Sequence, residues 1–268
     1  MSESALEIAG GWRLDLEDHG YLTAHETGVW RDRVYGLFRA PEELNRRWLR
    51  TEHQGPQGSC QGHALSDVGE VCYHVATQGE VIQFSRQYCY IRSQYYDGIK
   101  GDQGSTLTAG AKVAMQDGFP PEELWPYSGR YETRPPNRTW DDILLAAAAF
   151  KLRTVERLRS YDDIFAWLAG GIGAVWIGIR WGGGGGHSVS IPGYTRRKDS
   201  RGRNYLDMHN SWGPNWGNGG WKEIEPAQVD RWFRDPYTVV LGGSDMYGDG
   251  IAPRPVDWAK ESPYVDRE

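Results

Sequence analysis

The chain has 268 residues, 39% of them hydrophobic and 25% charged, with a net charge of −6 and a pI near 5.7. That is a soluble composition, long enough to bury a substantial core, and its acidity argues against a large basic face for duplex nucleic acid. Three cysteines, Cys60, Cys72 and Cys89, with no CxxC spacing, exclude a disulfide framework and a cysteine-based zinc site.

Residues 1–50 are polar and irregular, and the first 30 hold no apolar stretch of the kind that a secretory signal needs. A short helix is predicted over 41–50, with Pro41 in its first turn and Glu42 and Glu43 at its positive end. The clearest helix runs over 59–77. Ala64, Leu65, Val68, Val71, Cys72, Val75 and Ala76 recur with the spacing of one buried face, and Gly79 follows as a stop signal. A glycine-rich stretch, Gln54-Gly-Pro-Gln-Gly-Ser59, leads into it. Further helices are predicted over 106–117, 140–151 and 161–169. The uncharged apolar run 164–179 falls short of the roughly 18 residues of a membrane span and is broken by Gly170, Gly171 and Gly173. Strands follow over 174–179, 187–191, 205–209 and 237–241. Helices first and strands later predict an α+β fold of two packed lobes. Residues 243–268, rich in Gly, Pro and charge, read as an extension beyond the compact domain.

Three places along the chain carry potential chemistry. Cys60 opens the strongest helix, where backbone N–H groups and the helix dipole favour an anion, so a thiol ionises more readily there. Cys72 and Cys89 sit among apolar and aromatic neighbours and read as core. His187 follows five glycines, Gly182–Gly186, and opens a strand. No Gly-Lys-Ser/Thr follows the run, so it is not a phosphate loop. Asn210 ends a strand and heads a segment rich in tryptophan, ending at Trp221. Cysteine, histidine and asparagine in that order are a nucleophile, its base and the group that orients the base. Their separations agree with the roughly 130–150 residues between a papain-type cysteine and its histidine and asparagine.

Taken together the motifs resemble those of the papain-like cysteine peptidases. Gln54-Gly-Pro-Gln-Gly-Ser-Cys60 resembles that family's QGxCGSC segment, and Gly101-Asp-Gln-Gly-Ser105 its GCNGG loop. Leu124-Trp-Pro-Tyr127 resembles its YPY. Gly186-His-Ser-Val-Ser-Ile-Pro-Gly-Tyr194 resembles its NHAVxxVGY, and the stretch His209–Trp221 its KNSWGxxWGxxGY. The motifs span roughly residues 51–242. The resemblance implies a two-lobed fold, a helical lobe (about 51–150) bearing the nucleophile helix against an antiparallel β lobe (about 151–242). It implies Cys60 as a thiolate paired with protonated His187, Asn210 fixing the imidazole, and Gln54 with the Cys60 backbone N–H as oxyanion donors. It also implies Gly104 and Ser105 on the substrate side and Trp212 covering the Asn210–His187 bond. His63, one turn after Cys60, is a competing base whose direction along the helix points away from the cleft floor.

Some positions depart from the family pattern. Gln57 and Asp102 stand where the family places a disulfide, Gln61 replaces the tryptophan after the nucleophile, and Ser105 replaces a glycine. The pattern is closest to bacterial or phage-type members. The implied activity is peptide-bond hydrolysis through an acyl-enzyme, without cofactor or metal, on a peptide or protein substrate. No nucleic-acid or membrane partner is expected. Cytoplasmic placement, or incorporation in a virion or other assembly, is expected, with residues 1–50 and 243–268 available for a protein partner. Two other functions compete: a silent papain-like scaffold docking in a larger assembly, and a cell-wall peptide amidase.

Overall fold

The computed structural model describes residues 45–181 and 185–248. Most of the 41–50 helix and of both extensions lies outside them; Asn45–Arg47 form a single 3-10 turn, and residues 243–247, expected to lie beyond the compact domain, belong instead to a strand paired on both sides.

Helix α1, Cys60–Ala76, is the axis of the molecule. Its pattern predicts one buried face, but every residue from Cys60 to Tyr73 is buried, because α1 lies between a helical lobe and a sheet. Val75, counted in the predicted face, is 42% exposed where the helix emerges. Gln78 then turns left-handed (φ 58°) and Gly79 N–H caps the His74 carbonyl, which ends the helix.

Helix α2, Arg86–Asp97, is capped by the Ser85 hydroxyl, which accepts the Tyr88 N–H, and ends on left-handed Gly98. The sequence hides it, because Arg86, Gln87 and Gln94 are buried polar residues that break the apolar period. Arg86 pairs with Glu70 of α1 at 3.2 Å and lies near Glu52 and Glu122. Burial pushes Glu70 up to about 8 in spite of Arg86, with Asp67 and Glu122 adding to the rise. Helix α3, Leu107–Lys112, is shorter than predicted and passes into a π turn at Val113–Asp117. Helix α4, Trp140–Ala147, carries a Thr139–Asp142 capping box.

Strand β1, Lys151–Arg157, starts where the 140–151 helix was predicted to end. Helix α5 (Tyr161–Ala169) precedes strands β2 (Gly173–Trp181), β3 (Gly185–Lys198) and β4 (Asn204–His209). Strand β5 (Trp221–Ile224), helix α6 (Pro226–Trp232) and strand β6 (Val239–Tyr247) complete the described chain. The strands are longer than predicted, and β5 and α6 were not anticipated. They form one antiparallel sheet in the order β1-β6-β2-β3-β4-β5. The two-lobed α+β arrangement expected from the sequence is present.

Strand β2 alternates between two cores. Ala174 and Trp176 face α1 and the helical lobe, whereas Val175, Ile177 and Ile179 face α5. Glycines let the layers close up. A Cβ at Gly242 would come within 2.7 Å of Trp167 in α5, and one at Gly243 within 2.8 Å of Val68 in α1.

The helical lobe holds its loop to the nucleophile turn without a disulfide. Asp102 Oδ1 accepts Gly58 N–H at 2.8 Å and Tyr90 O–H at 2.7 Å. Tyr90 Oη accepts Gly104 N–H, and Gln94 Nε2 donates to the Gly101 and Gly104 carbonyls. All three cysteines are buried, and none forms a disulfide.

At Gly62, α1 meets α2 so closely that a Cβ would stand 2.7 Å from Tyr90 N. Gly62→Ala is therefore expected to lower stability by about 1–3 kcal/mol through overpacking against backbone. Urea denaturation measures this, and an unchanged midpoint would count against so close a contact.

Candidate active site

The first turn of α1 presents Cys60, and the start of β3 brings His187 beside it. Ser188 N–H, next to His187, donates to Cys60 Sγ at 3.4 Å. His187 Nε2 lies 2.8 Å from Asn210 Oδ1. The same Oδ1 accepts Ser211 N–H at 2.8 Å, which identifies it as the amide oxygen. His187 therefore carries its proton on Nε2 and a lone pair on Nδ1. Nδ1 is buried without a hydrogen-bond partner.

Gln54 is drawn into the same place. Its N–H donates to the Ser211 carbonyl at 2.8 Å. Its side-chain Oε1 accepts Ser211 O–H at 2.6 Å, and Nε2 donates to the Gln57 carbonyl at 2.9 Å. Tyr127 of the predicted YPY segment donates to the Gln54 carbonyl at 2.6 Å and shares a 2.7 Å bond with Ser59. Strand, loop and helix thus set the amide of Gln54 near the N-terminus of α1. Cys60, the first helical residue, also supplies a backbone N–H that has no intrahelical acceptor.

Trp212 stacks on the His187 ring, centroids 4.5 Å apart. Trp181, at the end of β2, meets both rings edge-on at 5.3 Å, and Trp216 packs on both tryptophans. Trp181 was missed by the sequence analysis; its only signal was a tryptophan just before the glycine run. Gly104 and Ser105 are buried within the helical lobe. The Ser105 hydroxyl donates to Asp97, so that side chain serves its own loop. Gln61 is buried against α3, where Gly110 leaves room for its amide. His63 turns away from the thiol, with Nδ1 bonded to the Ser59 carbonyl at 3.0 Å and its ring edge-on to Tyr127.

A second device escaped the sequence analysis because it joins residues more than a hundred positions apart. Asp67, two turns along α1 from Cys60, accepts Ser190 O–H of β3 at 2.6 Å and His209 Nδ1–H of β4 at 2.8 Å. Ser190 lies three residues after His187, and His209 directly precedes Asn210. One buried carboxylate therefore ties both strands of the base pair to the nucleophile helix. Burial would raise the Asp67 carboxyl, but His209, with Arg86 and the Ser190 hydrogen bond, brings it below its ordinary value.

Burial pushes His187 down to about 4, with the Asn210 bond only partly offsetting it. At neutral pH the ring is thus neutral here, whereas the family resemblance implied a protonated one. Among the described residues no group of His, Cys, Asp and Glu side chains could hold a metal ion, and no helix is long and apolar enough to cross a membrane.

No protein-family model matches the chain. It is 27% identical over 183 residues to fruit bromelain from Ananas comosus. That match takes in 63% of this chain and 49% of bromelain, so the chain spans about half the length of this relative. The fold is similar to that of xylellain, a cysteine protease from Xylella fastidiosa, with a TM-score of 0.66 and 20% identity. The match covers 90% of this chain and 97% of xylellain. Procathepsin B S9 from Trypanosoma congolense matches with a TM-score of 0.68 and 13% identity, over 91% and 89% of the two chains. The chain therefore has the fold of the papain-like cysteine proteases.

The lowered pKa of His187 gives a sign that can be tested. Unfolded, the imidazole takes a proton near pH 6.5; folded, it stays neutral down to about 4. Its contribution to stability is full above about 6.5 and is lost as pH falls toward 4. The wild type should lose ground relative to His187→Gln by roughly 1.4 kcal/mol per pH unit across that window. Parallel urea titrations at pH 7 and 4.5 would reveal it; a pH-independent difference would contradict it.

Proposed function

We propose that the protein is a thiol-dependent peptidase that cleaves peptide bonds through an acyl-enzyme on Cys60. The observation that carries this reading is the fixed tautomer of His187. Asn210 holds Nε2–H, so the buried Nδ1 keeps its lone pair, and the N–H of the next residue, Ser188, reaches the Cys60 sulfur.

His187 Nδ1 takes the thiol proton, and the sulfur attacks the scissile carbonyl carbon. The new oxyanion is held by Gln54 Nε2–H and the Cys60 backbone N–H. Collapse breaks the C–N bond, and the amine leaves with the proton from His187. Water, deprotonated by the same nitrogen, then releases the acid and restores the thiol. A neutral resting imidazole suits the first step, because it can accept a proton, and the proton transfer generates the thiolate–imidazolium pair. Trp212 and Trp181 shield the His187–Asn210 bond from water, which strengthens it.

Cysteines outside any disulfide and a hydrogen-bonded loop clamp support work in a reducing compartment such as the cytoplasm. The missing disulfide and the similarity to xylellain support assignment to the bacterial or phage-type branch. The partner is a peptide or protein substrate, with the chain on either side of the described residues, 1–44 and 249–268, available to dock a second protein.

Labelling with a peptidyl epoxide, mapped by mass spectrometry, tests the reading. Cys60 should be modified in the folded wild type, Cys72 and Cys89 should not, and His187→Ala should abolish the reaction. Lack of Cys60 labelling together with lack of peptide hydrolysis would sink the proposal. Gln54→Ala should lower kcat by about 100- to 1,000-fold, as loss of one oxyanion donor does, while labelling of Cys60 persists.

A further inference from the structure

Behind the Asn210 amide lies a cavity of about 10 Å³, roughly the room that one water needs. Three of its lining residues carry buried polar atoms without a protein partner: Asn210 Nδ2, His63 Nε2 and Ser188 Oγ. His63 and Asn210 are 3% and 1% exposed, and Ser188 is fully buried. Unsatisfied buried polar atoms are costly, and three around one small polar cavity are not accidental.

Their hydrogen-bonding roles are complementary. Asn210 Nδ2 can only donate, since Oδ1 is fixed toward His187 and Ser211. His63 Nδ1 faces the Ser59 carbonyl and so carries the proton, which leaves Nε2 as an acceptor. Burial, with Arg86 adding to it, drives His63 down to about 3 and keeps the ring neutral. Ser188 Oγ can play either part. A water molecule matches this set: it accepts from Asn210 Nδ2 and donates to His63 Nε2 and Ser188 Oγ. Three bonds are the usual complement of a buried water.

We propose that this cavity binds one ordered water bridging Asn210, His63 and Ser188, and that His63 is thereby a positioning residue for the Asn210–His187 pair. The water holds the amide so that its oxygen, not its nitrogen, faces Nε2–H. A flipped amide would oppose two donors and free the ring to rotate. The catalytic part of this inference rests on the proposed peptidase reading; the water site does not.

Crystal structures of the full chain at a resolution that shows ordered water, for the wild type and His63→Phe, form the test, with kcat and KM on a peptide substrate. One water bonded to all three atoms is expected in the wild type and none in His63→Phe. In that variant kcat should fall about tenfold at unchanged KM, as loss of one buried hydrogen bond would cause. His63→Gln, whose Oε1 can accept, should recover much of the loss. A dry cavity in the wild type overturns the site whatever the activity. Wild-type kcat in His63→Phe, or no recovery in His63→Gln, overturns the positioning role. Should His63→Phe not fold, Ser188→Ala, which removes another of the three contacts, must show a smaller fall in kcat at unchanged KM, or the role fails. A wild type with the water but no hydrolysis would sink the peptidase reading and leave the site standing.

Discussion

The Asp67 carboxylate is the interaction on which the rest of the site depends. Cys60, His187 and Asn210 come from three separate elements, and sheet register alone does not set the distance from a helix to a strand. Asp67 does so by accepting Ser190 and His209 with one oxygen. A buried carboxylate stays charged only if its partners remain in place. The cost of losing them makes the geometry stiff, and that stiffness carries two turns along α1 to the thiol. A hydrophobic contact at this point would tolerate sliding; a charge-assisted hydrogen bond does not.

The helical lobe solves a similar problem with hydrogen bonds to backbone. The loop 101–105 must stay against the nucleophile turn, and Asp102, Tyr90 and Gln94 hold it by hydrogen bonds to backbone on both sides. A disulfide constrains chiefly the unfolded chain, whereas this clamp acts in the folded state. It also needs a tyrosine that reaches from α2 past Gly58, where a side chain would meet Asp102 and the Gly104 nitrogen.

Much of the site was legible in the sequence, because its residues sit in contiguous motifs whose chemistry needs particular types: a cysteine at a helix start, a histidine opening a strand, an asparagine before tryptophans. The long helix was legible from its period, and the two-lobed order from helices preceding strands. Helix α2 was not, since its buried arginine and glutamines look like a solvated surface until Glu70 and the loop carbonyls are placed beside them. Strand β1 was hidden by the alanine run before it, which favours helix and extends the expected helix to the strand's first residue, Lys151. Asp67 lies outside the apolar set that the period picks out, and only the fold shows that its side of α1 is buried too. The charge state of His187 depends on desolvation, a property of the packed whole that no motif encodes.

Gly242 and Gly243 make strand β6 only a backbone thick where Trp167 presses from one side and Val68 from the other. The two hydrophobic cores are therefore in mechanical contact through a pane with no side chains to absorb strain. Changes of volume in α5 and in α1 should not be additive, since each sets how far the other can relax. The lobes, although built from different elements, are bound to loosen together rather than one at a time.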